Sequence, residues 1–144
     1  MFSRACEYGI KAAIYIAGQS LRGGRVSLKD VAEAIESPVA YTSKILQELV
    51  HNNIIYSEKG PTGGFSMSRQ GLKEIKLSSI VLAIDGNKVY TGCGLGLKQC
   101  NEKRPCPVHN NFKLIREKLK DMLETTTVSS LVFDMEKGLT FLKR

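Results

Sequence analysis

The chain has 144 residues, with 21 Lys and Arg against 14 Asp and Glu for a formal net charge of +7, and 42% of its residues are hydrophobic. This length suits one compact domain, or a small domain with an appended dimerisation element, and excludes a large multidomain enzyme, while the hydrophobic share excludes a disordered chain. The basic balance, with a pI near 9.3, draws polyanions to the surface, nucleic acid and anionic lipid being the usual ones.

The N-terminal run MFSRACEYGIKAAIYIAG carries Glu7 and Lys11 inside its apolar pattern. No stretch reaches the roughly 18 to 20 apolar residues of a membrane span, so neither a span nor a signal peptide is expected and the chain is placed in the cytoplasm. Ile10, Ala13, Ile14, Ala17 and Leu21 recur at helical spacing and stop at Arg22-Gly23-Gly24, which predicts a first helix. Ser27 is expected to cap a second, with Leu28, Val31, Ala32 and Ile35 on one stripe and Asp30 in the first turn. After a break at Ser37-Pro38, a third helix is predicted from Val39 to about Asn52. It buries Ile45, Leu46, Leu49 and Val50 and turns Ala40, Ser43, Lys44, Gln47 and His51 outward. Two short helices joined by a tight turn make a helix-turn-helix. The run IIYSEKGPTGGFSM then reads as a hairpin around Gly60-Pro61-Thr62-Gly63-Gly64. Three helices followed by a glycine-tipped hairpin predict a mainly α fold with a small β-hairpin, a winged helix-turn-helix over residues 1–76.

Leu77 to Ile84 predicts a fourth helix, capped by Ser78 or Ser79 and closed by Asp85-Gly86. From Gly86 to Pro107 periodicity is lost and glycines, prolines and three cysteines accumulate; a loop that long in a small protein is usually functional or disordered. Pro107 suits the start of a further helix in which Val108, Phe112, Ile115, Leu119 and Met122 form a short heptad seam. At 1.5 Å per residue the stretch from Pro107 to Thr126 spans about 30 Å, enough to pair with its symmetry mate in a homodimer. A last helix with Leu131, Val132 and Met135, stopped by Gly138, would brace it. Residues 77–144 are thus read as the cysteine loop, 86–107, and long C-terminal dimerisation helices.

Two constellations carry chemistry. The outer face of the third helix offers the small Ala40 and Ser43 beside Tyr41, Thr42, Lys44 and Gln47, a set suited to a DNA major groove. The start of the second helix, Ser27 to Lys29, could grip a phosphate through its amides. The wing adds Lys59 and a tip containing Gly60, Thr62 and Gly63 that can approach the sugar-phosphate backbone. The second constellation is Cys93-x6-Cys100-x5-Cys106-x2-His109. Soft thiolates select zinc, copper or iron-sulfur clusters; structural zinc sites usually pair their cysteines two to four residues apart, and the wider gaps here suit a cluster better than a single ion. Cys6, on the first helix, reads as a buried thiol. In a reducing compartment these cysteines do not form a disulfide framework.

These residues resemble the winged-helix regulators of the IscR and NsrR type, the Rrf2 family. The resemblance runs through Tyr8-Gly9-Ile10-Lys11-Ala12, Val26-Ser27-Leu28-Lys29-Asp30-Val31-Ala32, Tyr41-Thr42-Ser43-Lys44-Ile45-Leu46, Gly60-Pro61-Thr62-Gly63-Gly64-Phe65, the three-cysteine loop and Ile115-Arg116-Glu117-Lys118-Leu119. It implies a homodimeric transcription factor, usually a repressor, bound to a palindromic operator in double-stranded DNA and not an enzyme. It also implies an iron-sulfur cluster on Cys93, Cys100 and Cys106, expected as 2Fe-2S in preference to 4Fe-4S. One branch of the family takes its fourth ligand from a histidine that matches His109, and another from an acidic residue of the partner's first helix that matches Glu7. A ligand donated across the dimer would link loss of the cluster to the spacing of two recognition helices on half-sites about 34 to 36 Å apart. Nitric oxide, redox state or iron-sulfur supply would be the signal. The wing carries Glu58-Lys59 where many relatives place an arginine, which leaves the target sequence open. The alternative reading is a zinc-stapled basic interaction module with a structural cysteine loop. No Ser-His-Asp order or phosphate-binding loop points to an enzyme.

Overall fold

Helix α1 (Arg4–Leu21) starts where Ser3 leaves the helical conformation and its hydroxyl accepts the Cys6 N–H. One face of α1 is built of small residues, and Cys6, Gly9, Ala12, Ala13, Ile16, Ala17 and Gly18 are all buried. Small side chains let neighbouring helices approach closely: a β-carbon added to Gly9 would lie within 2.0 Å of the Ile84 side chain. The computed structural model describes residues 1–143. It places α1 at the centre, starting six residues earlier than its sequence periodicity suggests.

Helix α2 (Leu28–Ala34) opens with the expected cap, and the cap is reciprocal. The Ser27 hydroxyl accepts the Asp30 N–H at 3.1 Å, and the Asp30 carboxylate accepts the Ser27 N–H at 3.0 Å. Ile35 and Glu36 end the helix, Glu36 in the left-handed region at φ 55°, and α3 (Val39–His51) follows with Ile45, Leu46 and Leu49 buried. Strands β1 (Tyr56–Glu58) and β2 (Gly64–Ser66) pair antiparallel. Val26 extends this hairpin by bridging Phe65, donating at 3.1 Å and accepting at 2.7 Å. Gly64, at φ 133°, is required there because a β-carbon would stand 2.7 Å from the Val26 carbonyl oxygen.

A short helix absent from the sequence reading, α4 (Arg69–Glu74), is capped by Ser68. It is only six residues long, too short to show a full hydrophobic period. Helix α5 (Leu77–Asp85) begins at Lys76 without a side-chain cap, which corrects the expected Ser78 or Ser79 cap; both serines lie inside the helix. The backbone bridge between Lys76 and Thr127 replaces such a cap by fixing the entry to α5 against the entry to α8 (Val128–Glu136). Gly86 ends α5 at φ 66°. The segment expected to be aperiodic contains one further turn of helix, α6 (Lys88–Thr91), and α7 (His109–Thr125) then begins with Val108 as its cap.

Residues of α1, α3, α5, α7 and α8 share one buried cluster that includes Ile16, Leu46, Ile80, Leu123 and Val132. The regions read as 1–76 and 77–144 therefore draw on the same core, although residue 144 lies outside the described part. Helix α7 contributes mainly Leu123 to it, and the seam of α7 is left half covered, Ile115 being 54% and Met122 44% exposed.

Two outcomes follow from this packing. Gly64→Ala should destabilise the protein by about 1 to 3 kcal/mol in urea unfolding, through strain at a left-handed position. The Ser27 N–H holds the Asp30 carboxyl below its ordinary value, so the cap adds stability above that value and loses it as pH falls through the lowered one. Asp30→Asn should flatten the acid limb of a stability-against-pH curve.

Candidate nucleic-acid interface and metal centre

The helix-turn-helix brings α3 to the surface beside the wing. Ala40, Lys44 and Gln47 are exposed, and Tyr41 and Ser43 are half-buried; the Gln47 amide donates to the Ser43 hydroxyl at 3.4 Å. Thr42 corrects the sequence reading. It is fully buried, and its hydroxyl donates to the Pro38 carbonyl at 2.9 Å, one turn back. Its role is to close the first turn of α3, which has no side-chain cap, so it offers nothing to a groove. Tyr41 packs edge-on against Tyr8 of α1, ring centres 5.7 Å apart, while the Lys11 ammonium lies 5.0 Å from the Tyr8 ring centre.

At the start of α2 the amides of Ser27 and Asp30 are spent on the capping box, and the Asp30 carboxylate sits among them. The cap leaves the amides of Leu28 and Lys29, beside the Asp30 carboxylate, for the expected phosphate grip. Lys29 is exposed there as a side-chain cation.

Lys59, Gly60 and Thr62 are exposed along the wing. Gly63 is needed for a reason internal to the hairpin: a β-carbon would fall 2.2 Å from the Glu58 carbonyl oxygen. Sequence reasoning missed Arg25. Its guanidinium meets the Glu58 carboxylate at 2.6 and 3.0 Å and donates to the Thr62 carbonyl at 3.2 Å, clamping the wing from the segment that leads into the Val26 bridge. No sequence signal marks it, because Arg25 is brought to the wing by the long-range bridge between Val26 and Phe65.

The cysteine loop folds back on α7. Gly94 lies so close to Phe112 that a β-carbon would stand 2.3 Å from the ring, and Lys113 pairs with Glu102 at 2.7 Å. The loop donors come together two by two. Cys93 Sγ and Cys106 Sγ are 3.9 Å apart, and Cys100 Sγ is 3.3 Å from His109 Nδ1. Arg116 joins the pairs, donating to the Gly92 carbonyl at 2.6 Å and to Cys100 Sγ at 3.3 Å; sequence reasoning placed Arg116 on a family string without a role. Backbone N–H groups of Leu95 and Leu97 aimed at Cys93, helped by Cys106 and Arg116, hold its thiol below the ordinary value.

Among the described residues no three Cys, His, Asp or Glu side chains are gathered around one ion. Glu7, exposed in the first turn of α1, thus does not join the loop cysteines within one chain. Two thiolates bound at about 2.3 Å to one tetrahedral ion stand about 3.8 Å apart, a spacing that the Cys93 and Cys106 sulfurs meet. The two pairs together supply three thiols and an imidazole, donor types that both zinc and iron-sulfur centres accept. Cys6 has no part in this: burial, with the Asp85 carboxylate beside it, pushes its thiol up to about 12.

A half-buried recognition helix, a clamped wing and a long exposed C-terminal helix define a winged-helix DNA-binding regulator. The family model described as "Iron-dependent Transcriptional regulator", Rrf2, matches residues 2–134, and the chain belongs to the Rrf2 family of DNA-binding transcriptional regulators. It is 30% identical over 141 residues to a protein of Aquifex aeolicus (strain VF5) named as an HTH-type transcriptional regulator, covering 96% of each chain. It is 26% identical over 130 residues to the HTH-type transcriptional regulator IscR of Pectobacterium atrosepticum, covering 90% of this chain and 77% of that protein. The fold is shared with CymR, the global cysteine regulator of B. subtilis, at TM-score 0.72 and 20% identity over 92% of this chain and 96% of that one. It is also shared with T. potens IscR, at TM-score 0.73 and 19% identity over 97% and 91%. Among the described residues no helix is long and apolar enough to cross a membrane.

Iodoacetamide at pH 8 should modify Cys93, Cys100 and Cys106 in the folded, metal-free protein and spare Cys6, which is buried and held protonated. Peptide mapping checks this; rapid labelling of Cys6 would contradict its burial.

Proposed function

We propose that the chain is a homodimeric repressor whose affinity for a palindromic operator is set by a 2Fe-2S cluster held by Cys93, Cys106, Cys100 and His109. The observation that carries this reading is the pairing of the four donors, two for each iron of a two-iron centre. His109 is preferred to Glu7 because it is buried and already beside Cys100. Bound there, the cluster supplies iron and sulfide that react with nitric oxide or oxidants. The chain's own residues do the rest: Gly94 lets the loop lie against α7, Lys113 and Glu102 fasten its outer arm, and Arg116 ties both donor pairs to the helix.

The uncovered seam of α7, with Phe112 and Leu119 half-buried and Ile115 and Met122 exposed, supports pairing with a second copy. On DNA, Ala40, Tyr41, Ser43, Lys44 and Gln47 face the major groove, while Lys29, Lys59, Gly60 and Thr62 lie along the backbone. The net charge of +7 favours this encounter in the cytoplasm, where such a regulator meets its operator.

Anaerobic reconstitution with iron and sulfide should yield visible charge-transfer absorption that any of Cys93→Ala, Cys100→Ala or Cys106→Ala weakens or abolishes. Zinc alone, with no iron or acid-labile sulfide retained, would overturn the reading. Lys59→Ala should weaken operator binding uniformly across sequences and reduce the slope of log affinity against log salt by about one, whereas Gln47→Ala should relax base preference at one operator position and leave the slope unchanged. A salt titration of both variants separates the two roles.

A further inference from the structure

The three loop thiols are free and partly exposed, yet they are not equivalent. Cys93 and Cys106 face each other with sulfurs 3.9 Å apart, in van der Waals contact. Cys100 turns elsewhere, 3.3 Å from His109 Nδ1 and 3.3 Å from the Arg116 guanidinium. The other arm of that guanidinium donates at 2.6 Å to the Gly92 carbonyl, the residue just before Cys93. One side chain therefore holds the approach to Cys93 and the sulfur of Cys100 on separate arms of a rigid fork. Touching sulfurs close into a disulfide by modest side-chain rotation and loop adjustment, and the loop has glycines at 92, 94 and 96 to allow it. Cys100 would first have to leave both of its partners.

We propose that in the metal-free protein a peroxide closes Cys93 and Cys106 into an intrachain disulfide while Arg116 and His109 withhold Cys100, and that this bridge bars cluster assembly until a dithiol opens it. The first thiol gives up its proton and its sulfur attacks the peroxide; an S–O bond forms, the O–O bond breaks, and water leaves. The second sulfur then displaces the hydroxyl from the sulfenic acid, which departs with the second thiol's proton as another water. Two thiols and one hydrogen peroxide become one disulfide and two waters. The bridge removes both donors of one pair and leaves Cys100 and His109 alone. The barring step rests on the cluster assignment made above; the bridge does not.

The test uses full-length, metal-free, reduced protein, treated anaerobically with one equivalent of hydrogen peroxide, quenched with iodoacetamide and mapped by non-reducing proteolysis and mass spectrometry. The expected result is loss of two hydrogens, a Cys93–Cys106 linked peptide and an alkylated Cys100. Comparable amounts of links to Cys100, links between chains, or no link at all would overturn the bridge. Arg116→Ala should shift a substantial share of the links onto Cys100, and His109→Ala carries the same expectation should the first variant lose its helical circular dichroism. A Cys93–Cys106 link as exclusive in both folded variants as in the wild type would overturn the withholding role. The oxidised protein, given iron and sulfide, should gain no visible absorption until dithiothreitol is added. Loading equal to the reduced control overturns the barring step. A reduced control that also fails to load overturns the cluster assignment and the barring step with it, while the peptide map still decides the bridge.

Discussion

The close approach of other helices to the small-residue face of α1 is the constraint on which the rest of the molecule depends. Gly9, Ala12, Ala13, Ala17 and Gly18 are buried in contact with elements from both halves of the chain, Gly9 against Ile84 of α5 and Gly18 facing Val132 of α8. Fixed small residues leave no room for adjustment, because protein interiors are packed to the density of organic crystals. The angle at which α1 meets α3, α5 and α8 is therefore set by backbone proximity, and the recognition helix and the base of the cysteine loop inherit that geometry from one shared element.

The N-terminal turn of α1 shows how local this shared geometry becomes. The Ser3 N–H and hydroxyl both donate to the Asp85 carboxylate, which stands at the end of α5, immediately before Gly86 turns the chain toward α6 and the loop. Five residues after Ser3, Tyr8 meets Tyr41 of α3. The same two turns of α1 thus touch the recognition helix on one side and the root of the cysteine loop on the other. The loop itself has little apolar content to bury; it is held by a charged pair, one guanidinium fork and a glycine against an aromatic ring. Exposed ion pairs such as Lys113 with Glu102 contribute roughly 0 to 1 kcal/mol each, so the loop is a region of low local stability attached to a rigid core, an arrangement suited to a segment that must exchange partners.

Much of the fold was legible because its signals are short-range. The Ser27 cap needs only four residues to be seen, the hairpin tip needs Gly60 to Gly64, and the buried apolar positions Ile45, Leu46 and Leu49 of α3 follow from helical period alone. The elements that escaped are those whose cause is distant: α4 and α6 are too short to show a period, and α5 begins at Lys76 because a backbone bridge to Thr127 holds it there, overriding the capping preference of Ser78 and Ser79. Thr42 was misplaced for a related reason. A threonine on a helix reads as polar and outward, but its hydroxyl can return to the carbonyl four residues back, and here Pro38 supplies that carbonyl.

By itself the amino-acid sequence determined the order of the longer helices, the wing, the basic charge and the presence of three thiols and a histidine in one glycine-rich stretch, since all of these are properties of neighbours along the chain. Only the tertiary structure decided that Cys93 stands with Cys106 and Cys100 with His109, that Arg116 reaches from α7 to bind both arms of the loop, and that Arg25 clamps the wing. Those relations join residues 9 to 37 positions apart, and a pairing at that range depends on how α7 and α1 pack, which no local pattern of side chains records.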